Sequence, residues 1–534
     1  MRYHGFVPAF HVENFGCRAT QADGAALERQ FEERGLARAS AADADLVILN
    51  TCTVTAAADQ DARAAIRRVQ RQNPKAKIVV TGCYAQRAPE EIAALPGVTC
   101  VIGNSHKHQL AEIVLPGFGV TQCFSAAKDE SITFVPLVAL ESFSQRPAAK
   151  DQRPIFVSDI FAHTELLAAP VFDLPGDPSD SQRTRPNLKV QDGCDNRCSF
   201  CVIPYVRGQS RSLSLPQILR EVNALVEAGY REVVVSGINL GRWGRDLAVS
   251  SQLSVLSQER PLVEVFRKPQ AESRTPVFED LIRAILAETS VEKLRISSVE
   301  PMDWTDELIG LVAQSPRIAK HAHVPLQSGS DAVLRRMHRK YRPWHYREKI
   351  EKIREAMPTA AIGADVMVGF PGETDAEFEA TRRLIEDLPF TYLHVFTYSA
   401  RPGTPAAAML NQVPVHVARE RNRILRDLAT AKKHNFMRSF TGQKMEAITL
   451  RLCGAGTPSD KLRACPEPAE GAGFARKASG TDLLDDYQSG DGQAFTEALT
   501  DNYLKLHLKG RHEPNRWLRA HIESVNDGVL VGAV

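Results

Sequence analysis

The sequence predicts a multidomain α/β protein: two successive regions of parallel sheet covered by helices, then a small β-barrel. Three observations predict it. Apolar, strand-like runs alternate with helical patterns over residues 8–118 and again over 187–432, the order that yields parallel strands. From 436 to 534 the helical period gives way to alternation of apolar and polar residues. The chain of 534 residues is also too long for one ordinary domain.

In the first region, 8–118, three apolar runs each end in a cysteine: Ala9-Phe-His-Val-Glu-Asn-Phe-Gly-Cys17, Asp45-Leu-Val-Ile-Leu-Asn-Thr-Cys52 and Lys77-Ile-Val-Val-Thr-Gly-Cys83. Helical patterns lie between them at Gln21–Arg34 and Ala58–Gln72. Parallel sheets place function at the carboxyl ends of their strands, so one rim could gather the three thiols. The bland reading is three small buried side chains. Residues 119–186 mix proline, serine and charge without a period and read as a linker or insertion.

The second region, 187–432, offers six strands: Asn187–Gln191, Glu232–Ser236, Lys293–Ser297, His321–Pro325, Gly363–Val368 and Tyr392–Phe396. A stretch of Ser, Gln, Pro and charge at 248–275 interrupts the alternation as a surface insertion. In the third region, 436–534, strands are expected at Met445–Leu452, Asn502–Leu508 and Val529–Val534, with a further insertion over 454–492.

Composition is globular, 43% apolar and 24% charged. The formal net charge of +2 excludes a strongly basic protein, so any nucleic-acid contact must be a local patch. No run has the length of a membrane span and no secretory signal follows Met1, so a cytoplasmic protein is expected, without membrane association. Ten cysteines in such a chain point to metal or catalysis rather than to disulfides.

The most specific spacing is Cys194-Asp-Asn-Arg-Cys198-Ser-Phe-Cys201, directly after a predicted strand. Three thiolates so spaced can reach three corners of one [4Fe–4S] cluster and leave an iron open. A zinc site usually fills four positions, and no fourth ligand is near in sequence. A zinc knuckle or buried thiols are the alternatives. Of the remaining cysteines, Cys100 reads as a buried strand residue; Cys123, Cys453 and Cys465 border the insertions, and none is assigned to metal.

This motif, with Phe200 before its third cysteine, is the signature of the radical S-adenosylmethionine (SAM) superfamily. The adjoining segment, Cys201-Val-Ile-Pro-Tyr-Val-Arg-Gly-Gln-Ser-Arg-Ser212, resembles the methylthiotransferases. So do Val235-Ser-Gly-Ile-Asn-Leu-Gly241, Arg295-Ile-Ser-Ser-Val-Glu-Pro301, His323-Val-Pro-Leu-Gln-Ser-Gly-Ser330, Ala364-Asp-Val-Met-Val-Gly-Phe-Pro-Gly-Glu-Thr374 and His394-Val-Phe-Thr-Tyr-Ser-Ala-Arg-Pro-Gly-Thr404. The resemblance covers nearly everything outside the three insertions. It implies a flavodoxin-like first domain, a partial TIM-type (β/α)6 radical SAM core and a terminal barrel like the RNA-binding TRAM module, interrupted here by the insertion.

It further implies two [4Fe–4S] clusters, one on Cys194, Cys198 and Cys201 and an auxiliary one on Cys17, Cys52 and Cys83. Glycine stands before Cys17 and Cys83, where backbone must come close. SAM would chelate the open iron, with Phe200, Ser236, Asn239, Ser298, Glu300, Gln327, Ser328 and Asp365 as candidates to hold it at strand ends. Their bland role is loop capping. Arg207 and Arg211 are candidates for a SAM carboxylate or an RNA phosphate. Arg335, Arg336, Arg339 and Lys340 form a basic stretch for RNA, beside the bland reading of a solvated helix face.

The family acts on tRNA adenosine next to the anticodon or on a ribosomal-protein aspartate. Asn50-Thr-Cys-Thr-Val-Thr55, Thr81-Gly-Cys-Tyr-Ala-Gln86, Gly97-Val98 with Ile102-Gly-Asn104, and Gly237-Ile-Asn-Leu-Gly241 favour the branch acting on N6-threonylcarbamoyladenosine in the anticodon stem-loop. The alternatives are the isopentenyladenosine branch, the ribosomal-protein branch and, in another class, a non-catalytic iron–sulfur RNA-binding protein. A reductant such as flavodoxin or ferredoxin and a sulfur donor are the further partners implied.

Overall fold

A computed structural model describes residues 7–118, 153–163, 165–167, 184–247, 275–450 and 495–534. The expected insertion 454–492, all but Thr275 of 248–275, most of 119–186, and Cys123, Cys453 and Cys465 lie outside the described residues.

The first sheet is parallel throughout, in the order β2-β1-β3-β4-β5-β6. Its strands are β1 (Ala9–Asn14), β2 (Ala37–Arg38), β3 (Leu46–Thr51), β4 (Lys77–Gly82), β5 (Val98–Gly103) and β6 (Ile155–Phe156). Every residue of β3 is buried, because helices cover both faces. Leu46 and Ile48 pack with Leu27 and Phe31 of α1 (Arg18–Glu33). Val47 and Leu49 pack with Ile66 and Val69 of α2 (Ala56–Gln72). Thr55 caps α2, its hydroxyl accepting from the Ala58 N–H at 3.2 Å, which is why the helix begins before Ala58. The order 2-1-3-4-5 is the flavodoxin-like one, with its switch point between β1 and β3.

Within the expected linker or insertion 119–186, Ile155 and Phe156 pair with Val101 and Ile102 and extend the sheet. A two-residue strand has no period to read, and only the free edge of β5 makes it one.

The second region supplies six parallel strands in chain order: β7 (Asn187–Asp192), β9 (Glu232–Gly237), β10 (Lys293–Ile296), β11 (His321–His323), β12 (Ala361–Val368) and β13 (Tyr392–Thr397). Single bridges, Leu294 to Ile318 and Ser298 to His323, join β10 to β11, so the strands form a partial barrel. A short antiparallel strand, β8 (Arg211–Ser212), lies on the free edge of β7. β11 stops short of Pro325, which has no N–H to donate to a ladder.

Successive strand residues alternate faces. Leu188, Val190, Val233, Val235, Leu294 and Ile296 join the core shared with the outer helices. Their neighbours Lys189, Gln191, Glu232, Ser236, Arg295 and His321 take the inner face. The lumen is therefore polar, unlike the branched aliphatic layers that fill a complete barrel.

The chain ends in a closed five-stranded barrel, β14-β15-β16-β18-β17. Its strands are β14 (Lys444–Thr449), β15 (Phe495–Thr500), β16 (Lys505–Lys509), β17 (Trp517–Asn526) and β18 (Val529–Ala533), so β15 and β17 add to the three expected. The Asn515 amide donates to the Gly229 carbonyl at 2.8 Å, and the Asn502 amide to the Thr359 carbonyl at 2.8 Å. Both carbonyls precede strands of the larger barrel. The small barrel thus sits at the amino-terminal end of those strands, opposite Cys194–Cys201. Among the described residues no helix is long and apolar enough to cross a membrane.

Gly82 has φ 99° and ψ −162°, a region essentially restricted to glycine, and an added Cβ would lie 2.3 Å from the Thr51 carbonyl oxygen. Gly82→Ala is expected to destabilise the protein by about 1–3 kcal/mol, read as a lower midpoint in thermal unfolding.

Candidate active site

Cys17, Cys52 and Cys83 follow β1, β3 and β4, which are neighbours in the sheet. Strand order, invisible in the sequence, thus sets the three thiols on one rim. Gly16 has φ 104°, and a Cβ there would lie 2.8 Å from the Cys52 sulfur, so glycine lets the first rim loop close over the second. Thr20 meets the Cys17 sulfur at 3.6 Å, and the Asn104 amide donates to the Cys83 sulfur at 3.5 Å.

Cys194, Cys198 and Cys201 occupy the loop after β7. Gly193 opens it with φ 70°, and a Cβ there would strike the Gln209 carbonyl oxygen at 1.9 Å. The Cys201 N–H donates to the Cys198 carbonyl at 3.1 Å, which curls the loop. The Asn239 amide donates to the Cys194 sulfur at 3.6 Å, and Arg339 to the Cys198 sulfur at 3.3 Å.

Both trios suit iron–sulfur ligation. Burial, then the neighbouring thiols, pushes Cys52 and Cys201 each up to about 12; burial first pushes Cys194 up to about 11. A bound cation is what makes such thiols thiolates at neutral pH. Three thiolates are one short of the four ligands a structural zinc site usually takes, whereas three can hold a four-iron cluster with one iron left open.

The two trios adjoin. Cys83 packs in one apolar cluster with Val202, Ile203 and Val206, the residues just after Cys201. Asn104, which donates to Cys83, also donates to the Val206 carbonyl at 2.7 Å.

Residues 9–103 match the model described as "Uncharacterized protein family UPF0004", and residues 188–385 match the radical SAM superfamily. Threonylcarbamoyladenosine tRNA methylthiotransferase MtaB of Bacillus subtilis is 35% identical over 441 residues, 82% of this chain and 84% of that protein. The same-named protein of Aquifex aeolicus is 33% identical, over 82% of this chain and 92% of that protein. A tRNA-2-methylthio-N(6)-dimethylallyladenosine synthase of Novosphingobium aromaticivorans is 32% identical, over 83% and 86%. The chain belongs to the radical SAM methylthiotransferase family.

A methylthiotransferase of this family holds a [4Fe–4S] cluster and SAM, and the structure sorts the residues expected around them. Ser236 and Asn239 are buried beside the Cys194 loop, the Ser236 hydroxyl and the Asn239 side-chain carbonyl without protein partners. Glu300 pairs with Arg339, which brings it to Cys198. Ser298 meets His323 at 2.6 Å, and Asp365 meets His323 at 3.3 Å and His394 at 3.2 Å. Burial opposes ionisation of Asp365, but the two histidines hold it well below the usual carboxylate range. Gln327 adopts φ 61° and bridges to Val366.

The other expected residues have the following protein contacts. Phe200 packs edge-on against Phe370, ring centroids 6.5 Å apart, as part of an apolar cluster. Ser328 is buried against Thr381 at 3.2 Å, and its hydroxyl accepts from the Ser330 N–H. Arg207 is 2% exposed and both its terminal nitrogens are engaged by Asp192 and Asp23, so it offers no face to RNA. Arg211 donates to the His163 carbonyl at 3.0 Å. The basic stretch divides: Arg339 is buried at Cys198, Arg336 pairs with Glu377 at 2.8 Å, and Arg335 and Lys340 remain exposed, Arg335 paired with Asp331. Helical rotation and the loop after it separate residues that are adjacent in sequence.

Sequence reasoning missed the clamp between the two sheets. Asp23 of α1 receives Lys107 at 3.0 Å, Arg207 at 3.0 Å and Lys189. Asp192 receives Lys189 at 2.8 Å and Arg207 at 2.9 Å. All five side chains are buried. The available signal was Lys189 and Gln191 alternating with Leu188 and Val190 in one strand. Sequence reasoning missed Arg295, His321 and His394 likewise, each on a different strand of the second region.

Burial opposes ionisation of Asp23, yet Lys107, Lys189 and Arg207 hold its carboxyl down at about 2. A depressed carboxylate contributes its stability above the unfolded value and loses it on acidification. Asp23→Asn is expected to cost about 3–5 kcal/mol at neutral pH, measured by urea unfolding. The gap to wild type narrows as pH falls from about 4 through about 2.

Proposed function

We propose that this chain methylthiolates C2 of N6-threonylcarbamoyladenosine next to the anticodon of tRNA. One observation carries the reading: Cys83 packs directly on the residues just after Cys201, so the two cysteine trios share one wall. The threonylcarbamoyladenosine relatives from Bacillus subtilis and Aquifex aeolicus, matched over most of their length, support the substrate.

When bound, a cluster on Cys194, Cys198 and Cys201 with SAM supplies radical activation of an unreactive C–H bond, and a second cluster on Cys17, Cys52 and Cys83 supplies the sulfur. The chain's own residues position and enclose. Asn239 and Arg339 donate to Cys194 and Cys198 and fix the loop. Ser236 keeps an unpaired hydroxyl for a bound ligand. Arg335 and Lys340 lie exposed beyond Arg339 and suit phosphate contact. The terminal barrel is assigned as a TRAM-like RNA module, and the protein as a cytoplasmic one that draws on a low-potential reductant such as flavodoxin or ferredoxin and on a sulfur donor.

Anaerobic reconstitution is expected to yield about eight irons per chain. Replacing Cys17, Cys52 and Cys83 together by alanine should leave about four and retain SAM cleavage without methylthiolation. Nucleoside mass spectrometry of tRNA from a deletion strain should show loss of 2-methylthio-N6-threonylcarbamoyladenosine. A Cys198→Ala strain with unchanged tRNA modification would favour a non-catalytic RNA-binding protein.

A further inference from the structure

The barrel lumen contains a 350 Å³ cavity that none of the cysteines lines. Its wall carries Arg18, Arg295, Lys433 and Lys505 together with His321, His323 and His394, and no described aspartate or glutamate. A cavity of this size, lined by cations alone among its charged groups, favours an anionic occupant.

Arg295 is the deepest of these groups. It is 1% exposed, and its Nε donates to Glu232 at 2.6 Å. Its Nη1 and Nη2 are buried and have no hydrogen-bond partner. Two N–H donors without a protein partner beside a cavity are placed to meet a ligand that enters it. A carboxylate or phosphate matches that fork with two oxygens.

The terminal barrel completes the cavity. Tyr503 reaches into the lumen with its ring 5.3 Å from the Arg295 guanidinium and 4.9 Å from the His321 ring. It does so at φ 69°, a left-handed conformation that a bulky residue seldom adopts and that clusters at ligand sites. At the mouth, Lys433 is half-buried and Lys505 exposed. Burial, then Lys505, lowers the Lys433 ammonium, the mark of two like charges facing one space.

We propose that this cavity is an oxyanion subsite for the RNA substrate, with the Arg295 fork as its floor and Lys433 and Lys505 at its entrance. The inference rests on the substrate reading under Proposed function. Two groups of that substrate have the required chemistry: the carboxylate of the threonylcarbamoyl moiety and a backbone phosphate beside it. Arg18, next in sequence to Cys17, also lines the cavity.

The test measures binding of the full-length chain to two anticodon stem-loops, one with threonylcarbamoyladenosine and one with plain adenosine. Arg295→Gln removes the fork and leaves Glu232 paired with Arg185 at 3.7 Å, and Lys433→Gln/Lys505→Gln alters only the mouth. If the carboxylate is the ligand, the first variant loses about 10- to 100-fold of its affinity for the modified loop and keeps its affinity for the plain one. If a phosphate is the ligand, both loops weaken alike and the salt dependence becomes shallower. Variants that give the wild-type thermal transition and bind both loops as wild type does overturn the subsite. If the core variant does not fold, the lysine pair decides by the same readout. Wild-type protein that forms no methylthiolated nucleoside from the modified loop sinks the substrate reading. Wild type that forms it, with variants that bind unchanged, sinks only the subsite.

Discussion

Two buried aspartates hold this architecture together. Asp23 belongs to the first helix of the first sheet, Asp192 to the end of the first barrel strand, and Lys107, Lys189 and Arg207 fill the space between them. Removing a charge from water costs several kcal/mol unless it is paired and hydrogen-bonded. Separating the two sheets would strand all five groups at once. Such a network gives little net stability, but it permits one docking geometry and penalises the others.

That geometry is what the cysteines require. The three-to-two balance of cations over carboxylates leaves positive charge beside the first rim. After burial, which opposes it, Asp192, Cys83, Asp23 and Cys17 hold the Arg207 guanidinium well above its ordinary range. A surplus cation is a suitable neighbour for anionic thiolates. A second clamp works the same way further along the rim: buried Asp59, just beyond Cys52, receives Arg87 at 2.9 Å and Arg401 from the loop after the last barrel strand. With both clamps closed, Cys83 packs against Val202 and Val206.

Much of this was legible in the sequence where the signal was local. The spacing of Cys194, Cys198 and Cys201, the six barrel strands and the parallel character of both sheets come from residues near one another in the chain. Arg207 shows where such reading stops. Its place after the cluster loop suggests an anion contact, and it does bind anions, but they are Asp23 and Asp192 (one of them from the other sheet). Tyr503 was equally silent. Within an alternating run it reads as an ordinary strand residue, yet the strand begins only at Lys505 and the tyrosine turns inward.

The sequence by itself determined which side chains carry the chemistry and which strands present them, because motif spacing and hydrophobic period are properties of short segments. Only the tertiary structure decided that β1, β3 and β4 lie side by side, that the Cys83 and Cys201 loops touch, and that Arg295 faces a cavity roofed by Tyr503. Strand order, domain docking and cavity shape depend on pairing between distant segments. Buried charge and edge hydrogen bonds choose those pairings, and both act only once the chain has folded.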